Sequence, residues 1–367
     1  MLNFAVVIES NKFMSSQLTN VRYGYFDALR GLTMILVVLS HVFLFSLDIC
    51  PTINIFCCTF RMPLFFFVSG FFAYKVLGDW NRERIRDIIT RKFKVQIVGA
   101  LFFSIICSIV RYGRFPEFRP IFYAENEYWF TFILFRLFLI YMVIVMIARQ
   151  KPNGNLFWKV IIGFSICCVI FNLWDPRLPR AINNIVGFIV PRTFYYFPYF
   201  ALGLAARSLP RKFEKILAND SVKVGLMLFI VGIWCVILLG FLPQVPMTIS
   251  FGYQAPLAYP LGVCTLLLIV QFFYANRFNI ERNTAVNRSL KFIGRRTLDI
   301  YFLHYFFLPD LKIFSPYFQN YDSLSAQLTA GIAVSLIVVA FSLLVGQVIR
   351  MSPILAEWLL GVKRRRL

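Results

Sequence analysis

Residues 26–41 read FDALRGLTMILVVLSH, and this stretch decides the fold. From Leu32 onwards the run is long and nearly uncharged as far as Leu47. It suits one crossing of a hydrocarbon layer about 30 Å thick, which takes about 20 residues of helix. Three ionisable residues, Asp27, Arg30 and His41, nevertheless sit in or at the edge of it. The step from Arg30 to His41 turns a helix through about three revolutions, so the two share one face, roughly 16 Å apart along the axis. Asp27 lies one turn before Arg30 and is placed to pair with it.

Outward from this helix the chain keeps the same character. Hydrophobic residues make up 59% of it and aromatic residues 18%, with 43 Phe, more apolar surface than a soluble domain of this size can bury. The net charge of +21 suggests nucleic acid at first sight. The basic residues, however, stand in short runs between apolar segments, the pattern of cytoplasmic loops. A nucleic-acid surface would show a continuous basic face on a folded domain. Of the eight cysteines, Cys57–Cys58 and Cys167–Cys168 are adjacent pairs and the rest are scattered in apolar runs, with no C-x-x-C. They read as small apolar fillers, and no metal site is expected.

The expected fold is all-α: a polytopic integral membrane helical bundle of about ten transmembrane helices. The spans are Phe26–Ser46, Ile53–Leu77, Val95–Arg111, Tyr128–Ala148, Trp158–Trp174, Thr193–Ala206, Val224–Leu242, Ala255–Tyr274, Ile293–Leu311 and Ala326–Arg350. Basic residues concentrate at 82–94, 207–215, 277–296 and 363–366. Placing these on one side puts both termini in the cytoplasm. Residues 1–25, without the apolar core of a cleavable signal, form a cytoplasmic N-terminal segment, residues 26–350 the transmembrane domain, and residues 351–367 a basic cytoplasmic tail.

Polar groups inside apolar helices carry the functional signal, because an ionisable residue there needs a cavity or a partner. The bland reading of Arg30 is a snorkelling side chain, and that of His41 a packed core histidine. Yet the chain has only two histidines, His41 and His304, and both fall in apolar segments. An imidazole is the natural general base at neutral pH. The second helix, FRMPLFFFVSGFF over 60–72, holds Arg61, a kinking Pro63 and the small residues Ser69 and Gly70. Arg136 is a further intramembrane cation. In FIGRRTLDIYFLHYFF over 292–307, Asp299 and His304 are too far round the helix to form an obvious dyad.

These stretches resemble the bacterial acyltransferase family 3, membrane-bound enzymes that O-acylate sugars of surface glycans. Arg30 and His41 match its R-x10-H signature. FRMPLFFFVSGFF and FIGRRTLDIYFLHYFF match its later motifs, with support from YWFTFILFRLFLIY (128–141) and YYFPYFALGLAAR (195–207). Two positions depart. The family's R-x-x-R appears as Arg91 and Lys94, and Arg61 stands where many members have His.

The resemblance implies an acyl-CoA donor, acetyl-CoA first, bound from the cytoplasm with Arg91, Lys94 and Arg30 as counter-charges. It implies His41 as general base on a hydroxyl of a carbohydrate or lipid-linked glycan acceptor. It also implies residence in the bacterial inner membrane, with the lipid bilayer as partner and no nucleic acid. Arg61 or His304 is a candidate to stabilise the oxyanion, and a covalent acyl-histidine is open. The competing readings are a transporter or flippase for a lipid-linked sugar, and a scaffolding subunit whose polar groups only join helices.

Overall fold

The computed structural model describes residues 24–49, 52–74, 81–113, 127–150, 154–173, 189–238, 258–282, 284–321 and 323–361. The expected N-terminal segment up to residue 23 and the basic run 363–366 lie outside them. Among the described residues there is no strand.

The helices run in chain order α1 Gly24–His41, α2 Thr52–Ala73, α3 Arg82–Phe93, α4 Gly99–Tyr112, α5 Trp129–Gln150, α6 Gly154–Leu173, α7 Ile189–Ser208 and α8 Pro210–Leu217. They continue as α9 Asp220–Leu238, α10 Ala258–Ala275, α11 Arg277–Glu281, α12 Ala285–Arg295, α13 Thr297–Leu303, α14 Ser315–Tyr321, α15 Leu324–Met351 and α16 Pro353–Leu360. A π-helical segment, Lys94–Val98, joins α3 to α4.

Helix α15 shows what kind of solvent this bundle expects. Its inner face, Gly331, Ser335, Val338, Ser342 and Gly346, is buried. Its outer face carries the exposed apolar stripe Ile337, Phe341, Leu344 and Val348. Helix α6 likewise exposes Ile162, Ile166 and Ile170, one per turn. In water such stripes would be an unsupportable exposed patch; against lipid they are the ordinary outer surface. The inner serines are satisfied within their own helix, Ser335 donating to the Gly331 carbonyl at 2.6 Å and Ser342 to that of Val338 at 2.7 Å. The chain is therefore a helical, multi-pass membrane protein.

Five helical segments are long and apolar enough to cross a membrane: Gly24–Ser46, Phe56–Ala73, Arg82–Val110, Trp129–Ala148 and Leu324–Met351. The bent pair α8 and α9, at 66°, makes a sixth if counted as one span. Among the described residues these segments do not by themselves establish the expected count of about ten. Apolar helices Leu156–Asn172 and Tyr259–Ala275 are shorter. The expected span Ile293–Leu311 is broken twice. Helix α12 ends where Arg296 leaves helical geometry (φ −114°, ψ 19°), and beyond α13 the chain tightens into a 3-10 turn at His304–Phe307.

The core is aromatic. Phe26, Phe66, Phe67, Phe197, Phe200 and Phe302 are fully buried. Helices α2 and α7 approach so closely that a Cβ at Gly203 would overlap the Phe67 carbonyl, which only glycine avoids. Helices α1 and α12 cross in the same way, Gly294 lying against the carbonyl of Asp27. Asp299, 0% exposed, takes a fork from Arg350, Nη2 to Oδ1 at 2.6 Å and Nε to Oδ2 at 2.8 Å. Arg296 stands 3.7 Å from the same carboxylate. This triad ties α13 to the end of α15. Within the expected tail, α16 packs on the Lys94–Val98 segment and on α4.

Candidate active site

Both histidines sit where the helix changes its winding. His41 is the last α-helical residue before a π-helical segment, Val42–Ser46, and His304 opens the 3-10 turn after α13. Such changes of winding recur at functional sites. They bring the two rings together: His41 Nδ1 lies 2.7 Å from His304 Nε2, with the ring planes within 9°. Tyr305 packs on the pair, its ring centroid 4.2 Å from that of His304 and 5.1 Å from that of His41.

The hydrogen bonds assign the protons. His304 Nδ1 lies 3.0 Å from the Ile300 carbonyl and 2.9 Å from that of Tyr301. Carbonyls only accept, so this nitrogen carries the hydrogen. In the neutral imidazole, His304 Nε2 is then the lone-pair nitrogen and accepts from His41 Nδ1–H. His41 is left with its lone pair on Nε2, the form a general base needs.

A cavity of about 480 Å³ opens among α1, α2, α3, α5 and α13. Arg30, Arg91 and Lys92 give it cationic groups, and Ser69, Gln96, Thr131 and Thr297 are polar groups in its lining. Arg30 donates from Nη2 to the Thr297 hydroxyl at 2.9 Å and feels the charge of Asp27. Deeper in, the wall is apolar, with Met34, Val37, Met62, Phe65 and Phe130. The C-terminal end of α16 closes one side through Leu360 and Gly361.

Neither histidine lines this cavity, but both continue its walls. On α1 the lining residues Arg30, Met34 and Val37 lead at helical spacing to His41, one turn on. On α13, Thr297 and Tyr301 lead to His304 in the same way. On α2, which runs the opposite way, Phe72, Ser69, Val68 and Phe65 lead to Arg61. Three walls thus lead on to the histidine pair and Arg61, His41 standing about 6 Å along α1 beyond Val37 and Arg61 next to the lining residue Met62 on α2.

Of the candidates named from sequence, Arg30, Arg91 and Ser69 line the cavity, Asp27 stands behind Arg30, and His41, His304 and Arg61 gather beyond its inner end. Lys94 goes elsewhere: its ammonium sits 4.2 Å over the Trp358 ring of α16. Arg136 is half-buried on α5 and is not part of the lining. Sequence reading missed Lys92, Thr297 and Tyr301. The spacing of Thr297, Tyr301 and His304 was a visible signal, since it repeats on α13 the pattern read on α1. Among the described residues no group of His, Cys, Asp and Glu is arranged to hold a metal ion.

A family model described as an acyltransferase domain, Acyl_transf_3, matches residues 23–351. The chain belongs to acyltransferase family 3. The match takes in both histidines, the Asp299 triad and all of the cavity lining except Leu360 and Gly361, so this family-3 chain is an acyltransferase of the membrane class. No curated protein and no solved structure matches it.

Proposed function

We propose that this family-3 enzyme moves an acyl group, acetyl first among candidates, from cytoplasmic acyl-CoA to a hydroxyl of a cell-surface or lipid-linked carbohydrate, in the bacterial inner membrane. One observation carries the reading: a histidine pair with its proton positions assigned lies one turn beyond a cavity with cationic walls. The donor enters from the basic end. Arg91, Lys92 and Arg30 meet its phosphates, guanidinium forks suiting phosphate best. Lys94 serves the same end indirectly, holding α16 against the cavity. The pantetheine arm then lies along the apolar wall and carries the thioester towards His41, a run of roughly 16 Å from Arg30.

The acceptor hydroxyl arrives from the other side. His41 Nε2 removes its proton as the oxygen attacks the thioester carbonyl carbon. The carbon–sulfur bond then breaks, and the leaving thiolate takes the proton back from His41. His304 is a positioning residue: it holds the tautomer and shares the positive charge that His41 gains, as a second group does for the base in hydrolytic triads. The layout leaves the soluble donor on its own side of the membrane.

The test is turnover of acetyl-CoA labelled in its acetyl group by detergent-purified protein, wild type beside His41→Ala. The expected loss is about 100-fold or more. Equal rates in the two would remove His41 from the mechanism, and transport of a lipid-linked sugar without acyl turnover would favour a carrier.

A further inference from the structure

The walls that converge beyond the cavity bring a third residue to the histidine pair, and nothing in the acyl-transfer scheme above uses it. Arg61 is 6% exposed. Its Nη1 has no hydrogen-bond partner. The titratable groups that feel its charge are the imidazole of His41 and, one turn back, the thiol of Cys57, both neutral at rest. No carboxylate among the described residues pairs with it. A guanidinium buried with a free donor is a costly group to fold around, because it gives up water and receives no counter-charge. It contrasts with Arg350, which is forked onto Asp299.

Its placement says what the missing counter-charge is. Arg61 shares a face of α2 with Phe65, Val68, Ser69 and Phe72, all of which line the cavity, and stands one turn beyond Phe65, next to the lining residue Met62. His41 stands one turn beyond the cavity on α1. The two therefore flank the place that the far end of a cavity-bound donor reaches, and the far end of an acyl-CoA is its thioester carbonyl.

Resting on the acyl-transfer reading, we propose that Arg61 is a catalytic residue whose free Nη1–H donates to the carbonyl oxygen of the donor thioester. As the acceptor oxygen bonds to the carbonyl carbon, the π pair moves onto that oxygen. The tetrahedral intermediate then carries the negative charge that Arg61 lacks in the resting enzyme. When the carbon–sulfur bond breaks, the carbonyl re-forms and the charge leaves with the thiolate. Stabilisation appears only as charge develops, which is where it accelerates the reaction.

The experiment compares wild type, Arg61→Lys and Arg61→Met in detergent by three readouts: thermal unfolding, equilibrium binding of acetyl-CoA, and rate of acetyl release or transfer. The expected result for Arg61→Met is a fall in kcat of about 100- to 1,000-fold. Acetyl-CoA affinity stays unchanged, and the unfolding midpoint is equal to or above that of wild type, since an unpaired buried charge has been removed. Arg61→Lys, which keeps the charge but not the fork, recovers part of the rate.

A lowered midpoint in Arg61→Met would make Arg61 a structural residue and overturn the proposal. So would an unchanged kcat, or an effect confined to the KM for the acceptor, which would assign Arg61 to a standing anionic group of that substrate. Failure of the acyl-transfer reading looks different: wild-type protein would then neither bind acetyl-CoA nor turn it over.

Discussion

In the proposed mechanism His304 works through its contact with His41 Nδ1 at 2.7 Å. An acceptor at that position is what keeps the hydrogen on Nδ1 and the lone pair on Nε2. Replacing His304 with Phe removes the acceptor and is expected to lower kcat by about 100-fold while leaving acetyl-CoA affinity intact. His304→Asn, whose amide oxygen still accepts, is expected to retain more of the rate than His304→Phe. Steady-state rates with donor binding measured separately check both, and equal rates in the two variants would count against the tautomer argument. The Arg30-to-His41 spacing was readable from one helix because it is local. The partner of His41 was not, since it lies 263 residues further on. That both histidines stood in apolar segments, each within a stretch matching a motif of the same family, was the hint.

Among elements, α13 is the critical one, a helix of seven residues carrying Thr297, Asp299 and Tyr301 before His304. It is too short to hold its place by helix propensity and is held by its ends. Asp299→Ala would leave Arg350 and Arg296 facing an apolar site without their carboxylate, and is expected to destabilise the fold by about 3 kcal/mol. The measurement is the thermal unfolding midpoint in detergent, and a midpoint equal to wild type would show that the triad does not hold α13. The crossing of α1 with α12 makes a second element-scale prediction. A Cβ at Gly294 would overlap the Asp27 carbonyl, so Gly294→Ala must push α12 away or unwind it. Overpacking of this kind costs about 1–3 kcal/mol. Because Arg30 lies one turn from Asp27, acetyl-CoA affinity should fall together with the midpoint, and a change in neither would mean that the crossing has slack.

At the scale of the whole molecule, charge and depth are linked. Arg30, Arg91 and Lys92 stand at one end of the bundle and the histidine pair lies towards the other. Arg91→Ala with Lys92→Ala is expected to weaken acetyl-CoA binding at least 10-fold at low salt, with a smaller loss in high salt as the exposed part of the charge is screened. Calorimetric titration at two ionic strengths reads this, and an affinity loss independent of salt would mean that the pair acts through packing. Orientation is tested by labelling. With the native cysteines replaced by Ser, a Cys placed at Val286, 68% exposed, should react with a membrane-impermeant maleimide only from the cytoplasmic side. One placed at Ile313, 84% exposed and beyond the histidine pair, should react only from the opposite side. Reaction of both from the same side would reverse the assignment drawn from Lys and Arg.

The amino-acid sequence by itself determined the membrane character, the helical class, the family, and the shared face of Arg30 and His41. Each is written in composition or in the spacing of residues within one helix, and neither needs a neighbour to be read. An apolar run shows hydropathy but not where backbone geometry breaks, as it does at Arg296 and at His304. Tertiary structure alone decided the rest. It paired His41 with His304, gave Asp299 to Arg350, lined the cavity with Lys92 while turning Lys94 onto Trp358, and left Arg61 buried near His41 with a donor free. The physical reason is the same in each case. A polar group inside an apolar bundle takes its role from the nearest partner in space, and that partner comes from a helix distant in the chain.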